Sequence, residues 1–288
     1  MKVAIIGGTG KMGRWFASFL LKEGKEVVII GRNEKKLLEA REQLGVEATT
    51  NLEAVKTADV VMISVPIDSF EEVVRQVKPH IRPKQIVVEI TSVKASPVEM
   101  MHKHLKTAVV LGVHPMFGPG ARDIANQNFV LTPTNPEEAA LAEKVKSYLE
   151  EHDTRVTMMT PQGHDEMMSV VLGLSHFIAI VSADMLLSLD RFREMEAVSG
   201  STYRLLLTLV KGVVSEDPEL YASLQMNFPH MTEIEGLFLK SSKTWADIVK
   251  RQDKQEFVRR MKALKDRLEK TDPSFNTAYE NMYRLLGK

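Results

Sequence analysis

The residues best suited to chemistry stand in one short run, Gly112-Val113-His114-Pro115-Met116-Phe117-Gly118-Pro119-Gly120, which opens on the end of an apolar segment. Two prolines fix φ at about −65° and bias the residues before them to extended backbone, while the glycines permit close approach or positive φ. The run therefore sets one imidazole on a rigid ledge, and imidazole is the side chain whose proton affinity suits neutral pH. A histidine merely satisfied beside a tight turn is the alternative at this point.

A second pattern lies at the start of the chain. Gly8, Gly10 and Gly13 fill G-x-G-x-x-G, with Thr9, Lys11 and Met12 between them, directly after the apolar run Val3-Ala4-Ile5-Ile6 and before residues at helical spacing. Strand, glycine turn and helix in that order give a tight turn, bare backbone for a pyrophosphate and a helix N-terminus that attracts anions. A second strand is expected over 26–30. An acidic residue that would hold the ribose hydroxyls of NAD is missing after it, where Gly31-Arg32-Asn33 stands instead. Asn33 can cap the next helix, and Arg32, with Lys35 and Lys36 in the first turn, suits the 2′-phosphate of NADP. The plainer reading is a solvated basic helix end.

These residues need elements to carry them. Strands are expected over 59–65, 85–90, 108–113, 129–132 and 155–159, with a helix over 137–151 and a capping box at Asp68 or Ser69 with Glu71 or Glu72. Alternating strands and helices imply a doubly wound, mostly parallel α/β sheet. The glycine turn, Ser64 to Pro66, Thr91 to Lys94 and the His114 run then share the carboxyl edge, where ligands of such sheets bind. The expected domain break falls at Thr160-Pro161, giving residues 1–160 to the dinucleotide fold and 161–288 to an all-helical domain.

Residues 163–189 read as one long helix, apolar almost all round and so buried in a core or an oligomer seam, interrupted by His164, Asp165 and His176. Asp165 and His176 are eleven apart, three regular turns, which puts them on one face about 16 Å apart. A lone histidine on such a helix is usually a core residue. Further helices are expected over 203–214, 218–226, 230–251, 254–269 and 273–286.

Composition narrows the classes. With 288 residues, 44% of them hydrophobic, the chain has material for two cores. The 38 basic and 38 acidic residues leave no field for nucleic acid or an anionic membrane, so the expected partner is a small molecule. The absence of cysteine excludes disulfides, thiolate metal sites and a cysteine nucleophile, and accords with a reducing cytoplasm. His102 and His104 point apart on a helix, so no metal site is expected. The N-terminus shows no leader pattern, and the greasiest stretch, 170–189, is broken by His176 and Asp184, so a soluble protein is expected.

Taken together, Gly7 to Arg14, Ser64-Val65-Pro66, Ser92-Val93-Lys94, Gly112 to Pro119, His164-Asp165, Ser175-His176 and Tyr203-Arg204-Leu205 with Asp217-Pro218-Glu219-Leu220-Tyr221 closely resemble prephenate dehydrogenases. The resemblance spans residues 1 to about 230. It implies a Rossmann domain followed by a helical dimerisation domain, a homodimer, and oxidation of prephenate by NAD(P)⁺ to 4-hydroxyphenylpyruvate and CO₂ on the way to tyrosine. It also implies roles: His114 as the base that takes the hydroxyl proton, Ser92 steering substrate and histidine, and His176 on the substrate. One position departs. Where many relatives carry a carboxylate-clamping arginine, eight residues after the arginine of Tyr-Arg-Leu, this chain has Gly212, and Arg204 or Lys211 would have to serve. That leaves prephenate and its amino analogue arogenate both open. A dehydrogenase of the 3-hydroxyacid type would want a lysine on 163–189, which has none, and a silent NADP-binding sensor would not need Ser92, His114 and His176 together.

Overall fold

The leading apolar run forms β1 (Lys2–Ile6), and the computed structural model describes residues 1–287 from there. The chain divides into two units, the first running from Met1 to Met168 and the second from Ser169 onward. In the first, β1 is followed by α1 (Lys11–Lys22), β2 (Glu26–Ile30), α2 (Glu34–Leu44), β3 (Glu47–Thr49), β4 (Val60–Ile63), α3 (Phe70–Val77) and β5 (Ile86–Glu89). Then come α4 (Ala95–His104), β6 (Val109–Pro115), β7 (Asn128–Thr132), α5 (Pro136–Glu150), β8 (Arg155–Met158) and α6 (Pro161–Met168).

The eight strands make one sheet in the order β3-β2-β1-β4-β5-β6-β7-β8. From β3 to β6 every pairing is parallel, as the Rossmann pattern requires. Between β6 and β7 the direction reverses. A parallel return needs a crossover, usually helical, and no helix lies between these two strands, so the chain folds straight back. With α5 as its crossover, β8 then runs parallel to β7. Both faces are covered, which is why the strands read as unbroken apolar runs. Val3 and Ile5 pack with Phe16, Leu20 and Leu111 on one face, and Ala4 and Ile6 with Val61, Phe70 and Met101 on the other.

Several sequence expectations are corrected here. The strand expected over 59–65 is shorter, Val60–Ile63. The capping box at Asp68 or Ser69 is not formed: a 3-10 turn, Ile67–Ser69, precedes α3, and the Ser69 hydroxyl donates to the Pro66 carbonyl at 3.1 Å. His114 does not sit on a loop ledge. It lies within β6, opposite Val130 of β7, and is held by the ladder. Of the glycines around it, Gly112 serves close approach, since an added Cβ would come 2.4 Å from Thr132 Oγ1, whereas Gly118 and Gly120 face open space and keep φ out of the positive region.

The second unit contains α7 (Ser175–Ser188), α8 (Phe192–Ala197), α9 (Ser201–Val214), α10 (Pro218–Asn227), α11 (Met231–Lys250), α12 (Lys254–Thr271) and α13 (Ala278–Leu285). The single long helix expected over 163–189 is interrupted by a π-helical stretch, Ser169–Leu174, so the count of three regular turns from Asp165 to His176 does not hold. Local partners sustain the stretch: the Ser169 hydroxyl donates to the Pro229 carbonyl, and Gln225 Nε2 donates to the Gly173 carbonyl at 2.9 Å. The expected helix over 273–286 begins later, after a 3-10 turn, Phe275–Thr277. By length and composition the run Pro161–Ser188 would suffice to cross a membrane, despite His176 and Asp184. Only part of it is core. Ala179, Ala183 and Leu186 are buried with Leu207 and Val210, but Val170, Val171, Ile180, Val181, Met185 and Leu187 are exposed.

The turn after β1 depends on one residue that the G-x-G-x-x-G pattern does not include. Gly7 has φ +79°, and a Cβ there would lie 2.1 Å from the Ser64 carbonyl oxygen. Gly7→Ala should therefore destabilise the first unit by at least about 1–3 kcal/mol, a fall of roughly 2–12 °C in Tm. An unchanged melting curve would show that the turn relaxes freely.

Candidate active site

The glycine turn opens a cleft of about 300 Å³ in the first unit. Of the nine residues expected to meet a dinucleotide, Thr9, Gly10, Arg32, Ser64 and Pro66 line it. Gly8 and Gly13 do not. They let strand and helix close up, since a Cβ on Gly13 would lie 2.5 Å from the Gly7 carbonyl and one on Gly8 2.5 Å from Ile29 Cβ. Met12 packs against the core, and Lys11 is exposed. Gly10 is the N-cap of α1, and no side chain caps that helix, so its positive end is available to an anion. These features fit a pyrophosphate. Arg32 is exposed on the wall of the cleft, and its guanidinium has no partner among the described residues. Asn33 caps α2 through a 3.0 Å bond from the Lys36 amide, as expected. Glu34 shares that first turn with Lys35 and Lys36 and supplies the acid that the helix end favours, which weakens the argument from those lysines.

Further along the same edge β5 and β6 lie side by side, and β6 carries His114. The imidazole is only 4% exposed. Its Nδ1 lies 2.7 Å from His164 Nε2, and His164 Nδ1 lies 2.7 Å from Asp165 Oδ1. Asp165 also accepts from the Lys94 amide at 2.7 Å and the Ala95 amide at 2.9 Å, which caps α4 from α6. Beneath them Lys94 Nζ meets Glu89 Oε1 at 2.6 Å with both side chains fully buried, and Thr91 donates to Glu89 from its amide and hydroxyl. Burial pushes the His114 imidazole well below the ordinary histidine range, and the charges of Lys94 and His164 add to that. Burial also lowers His164, opposed by its bond to Asp165. It raises the Glu89 carboxyl and lowers the Lys94 ammonium, each resisted by the other partner.

Ser92 is half-buried just past β5, and its hydroxyl makes no hydrogen bond among the described residues. His114 is joined to His164 instead. In the sequence His164 and Asp165 stand out as polar interruptions of an apolar helix and as part of a motif, with nothing to link them to His114, and Glu89 does not stand out at all. A glutamate and a lysine five apart at the end of an apolar strand are the signal that could have found the buried pair.

In the second unit, His176 on α7 is half-buried, stands edge-on to Tyr221 at 4.7 Å between ring centroids, and is lowered by burial. Its Nδ1 is buried without a partner, and so is the Tyr203 hydroxyl on α9. A core histidine with both nitrogens satisfied is therefore not what stands here. Arg204 is exposed, with Nε 3.4 Å from Ser199 Oγ. Lys211 is already paired with Glu196 at 2.5 Å and lies 5.7 Å from the centre of the Phe192 ring. A side chain at Gly212 would meet nothing within 4 Å. Among the described residues no cluster of three or more acidic, histidine or cysteine side chains could hold a metal.

Two family models match this chain: the nucleotide-binding domain of prephenate dehydrogenase over residues 16–158 and its dimerization domain over residues 160–263. A probable arogenate/prephenate dehydrogenase from Methanocaldococcus jannaschii is 35% identical over 266 residues, covering 91% of this chain and 60% of that protein. The T-protein of Haemophilus influenzae is 29% identical over 78% of this chain and 56% of its own length. The chain thus spans about three-fifths of the length of the curated relatives it matches. The crystal structure of prephenate dehydrogenase from A. aeolicus in complex with hydroxyphenyl propionate and NAD⁺ superposes with a TM-score of 0.78, at 23% identity, over 94% of this chain and 98% of that one. That likeness extends the shared fold across both units. With both family models in sequence order along the chain, this protein belongs to the prephenate dehydrogenase family.

Proposed function

We propose that this chain carries out the oxidative decarboxylation of prephenate to 4-hydroxyphenylpyruvate, with NADP⁺ as the preferred oxidant and tyrosine synthesis as its purpose. The observation that carries the reading is His114: a neutral imidazole at the carboxyl edge of the sheet, on β6, one strand removed from β4, which ends at the nucleotide cleft. Thr9, Gly10, Ser64 and Pro66 would hold the dinucleotide, its pyrophosphate at the start of α1, and Arg32 would meet the 2′-phosphate. When bound, the cofactor supplies the hydride acceptor. The NAD⁺ found in the A. aeolicus relative is the competing choice, and Arg32 is what favours NADP⁺ here.

His114 takes the proton from the ring hydroxyl as its carbon gives up hydride, because a carbonyl forms only if that oxygen is freed of hydrogen. Ser92, with an uncommitted hydroxyl on the neighbouring strand end, orients the same oxygen. Loss of CO₂ follows from aromatisation of the ring and asks little of the protein. His176, with its open Nδ1, and Arg204 bind the substrate from the helical domain. Lys211 serves only by leaving Glu196. We assign cofactor binding to residues 1–160 and substrate binding and dimerisation to 161–288. A second copy of the chain covers the exposed apolar residues of 170–187, and a cysteine-free chain of this kind works in the cytoplasm.

Three measurements test this reading. Absorbance at the reduced-nicotinamide band, with prephenate and arogenate each against NAD⁺ and NADP⁺, should show the fastest turnover for prephenate with NADP⁺. Arg32→Ala should weaken NADP⁺ by about tenfold and NAD⁺ hardly at all, and equal or tighter binding of NAD⁺ by the wild-type protein would make Arg32 an ordinary surface residue. Light scattering at micromolar concentration should give the mass of two chains, and a monomer would contradict the dimer.

His114→Asn should cut kcat by about 10²–10⁴-fold with the dinucleotide Kd nearly unchanged. The base works only when neutral, and its environment holds the protonated form off to low pH. The acidic limb of kcat/KM should therefore lie below the ordinary histidine range. A variant keeping more than about a tenth of kcat would remove His114 from the role.

A further inference from the structure

The pair His164-Asp165 enters neither the cofactor site nor the substrate site, yet its atoms decide which nitrogen of His114 is basic. Asp165 accepts from two backbone amides, Lys94 on Oδ1 and Ala95 on Oδ2, and an amide can only donate. What Asp165 offers His164 Nδ1 at 2.7 Å is therefore an acceptor oxygen, so Nδ1 carries the hydrogen and Nε2 of His164 is bare. That bare nitrogen lies 2.7 Å from His114 Nδ1, and the contact is a hydrogen bond only if His114 donates from Nδ1. A neutral imidazole has one ring hydrogen, which leaves His114 Nε2 as its lone-pair atom.

We propose that His164 and Asp165 are positioning residues for His114, which fix the tautomer with Nε2 as the basic atom and share the positive charge that His114 acquires. This rests on the reading of His114 as the base. The hydroxyl O–H bond breaks as an N–H bond forms at His114 Nε2. The hydrogen on Nδ1 can then cross the 2.7 Å nitrogen-to-nitrogen contact to His164 Nε2, which places the cation against Asp165. His164 is fully buried, so the proton has no second way out. None is needed: when the ring becomes aromatic the phenolate oxygen takes a proton, both transfers reverse, and the reaction balances without exchange with solvent. The charged groups facing the two rings are Asp165 on α6, Lys94 at the start of α4 and Glu89 on β5. Asp165 touches His164 Nδ1 directly and so is the negative charge placed to meet the cation.

The tautomer can be read without turnover, from the nitrogen resonances of ¹⁵N-histidine-labelled wild-type protein at neutral pH, assigned by losing one ring in His114→Asn and the other in His164→Gln. Nε2 of His114 should be of the bare, pyridine type and Nδ1 of the protonated type, and the reverse pattern overturns the proposal whatever the activities are. Kinetically, His164→Leu keeps the site dry but removes the acceptor. It should lower kcat by about 10–100-fold, the range for loss of an orienting partner of a functional imidazole, with the dinucleotide Kd unchanged. The hydrogen bond from His114 Nδ1 is then lost along with the neighbouring ring, so the acidic limb of kcat/KM should leave its wild-type position. His164→Gln, whose carbonyl can accept from His114 Nδ1, should recover part of the loss. A leucine variant with wild-type kcat and pH profile overturns the proposal. If the tautomer is as stated but His114→Asn stays active, the base reading fails while the positioning of the ring stands.

Discussion

One carboxylate holds the carboxyl edge of the sheet together. Asp165 takes two amide hydrogens at the start of α4 and meets the His164 imidazole through Oδ1, so a strand-to-helix turn, a second helix and, by way of His164, the histidine of β6 are fastened at one point. Helix α4 brings no cap of its own, since Lys94 at its N-cap makes no side-chain bond to it, and the acid that its dipole favours comes from seventy residues further on. Hydrogen bonds to a charged acceptor contribute about 1.5–3 kcal/mol each, more than any ion pair on the exposed helices of the second unit.

Under that point lies the ion pair of Glu89 and Lys94, and its presence needs a reason. Removing two charges from water costs several kcal/mol per ion, and apolar replacements of equal volume are often no less stable. The pair is nevertheless fully buried, and Thr91 supplies two of the hydrogen bonds that make burial tolerable. Its chemical effect is directional. Burial disfavours protonation of either ring, and the Lys94 cation nearby adds to the same preference, so the site rests in the uncharged state that a proton acceptor requires.

Much of this was legible in the sequence, and the parts that were not share a cause. The strands Lys2–Ile6 and Glu26–Ile30 were readable because each is built on four consecutive apolar residues closed by a glycine, a pattern that admits little else. The glycine turn and the His114 run were legible as chemistry because their residue types are costly in an ordinary surface loop. Strand β3 was not, since Glu47-Ala48-Thr49 at a sheet edge has neither period nor apolar content, and α8 was missed for the same want of pattern. The reversal at β7 follows from a connection without a helix, and the lost capping box from a serine that found a carbonyl three residues back. The link from His114 to His164 joins residues fifty apart, and the cap from Asp165 to α4 joins residues seventy apart. Local spacing carries no information about either.

The reversal of direction at β7 has an evolutionary consequence. Because β6 is paired on one side with β5 and on the other with a strand returning antiparallel, and because Val130 stands opposite His114, the position of the imidazole is set by two ladders and a side-chain bond. It is not set by the segment 116–127 that joins the strands, which touches the rest of the unit through Phe117 among the aromatic rings, the Ala121 carbonyl on Trp15, Ile124 in the core and the Asn126 amide on the Asp153 carbonyl. Between Phe117 and Ile124, where Gly118, Pro119, Gly120, Arg122 and Asp123 are exposed, that segment can be lengthened, shortened or rewritten without moving the reacting atom. Insertions and deletions among relatives should gather there, leaving the chemistry fixed while the walls of the site diverge around it.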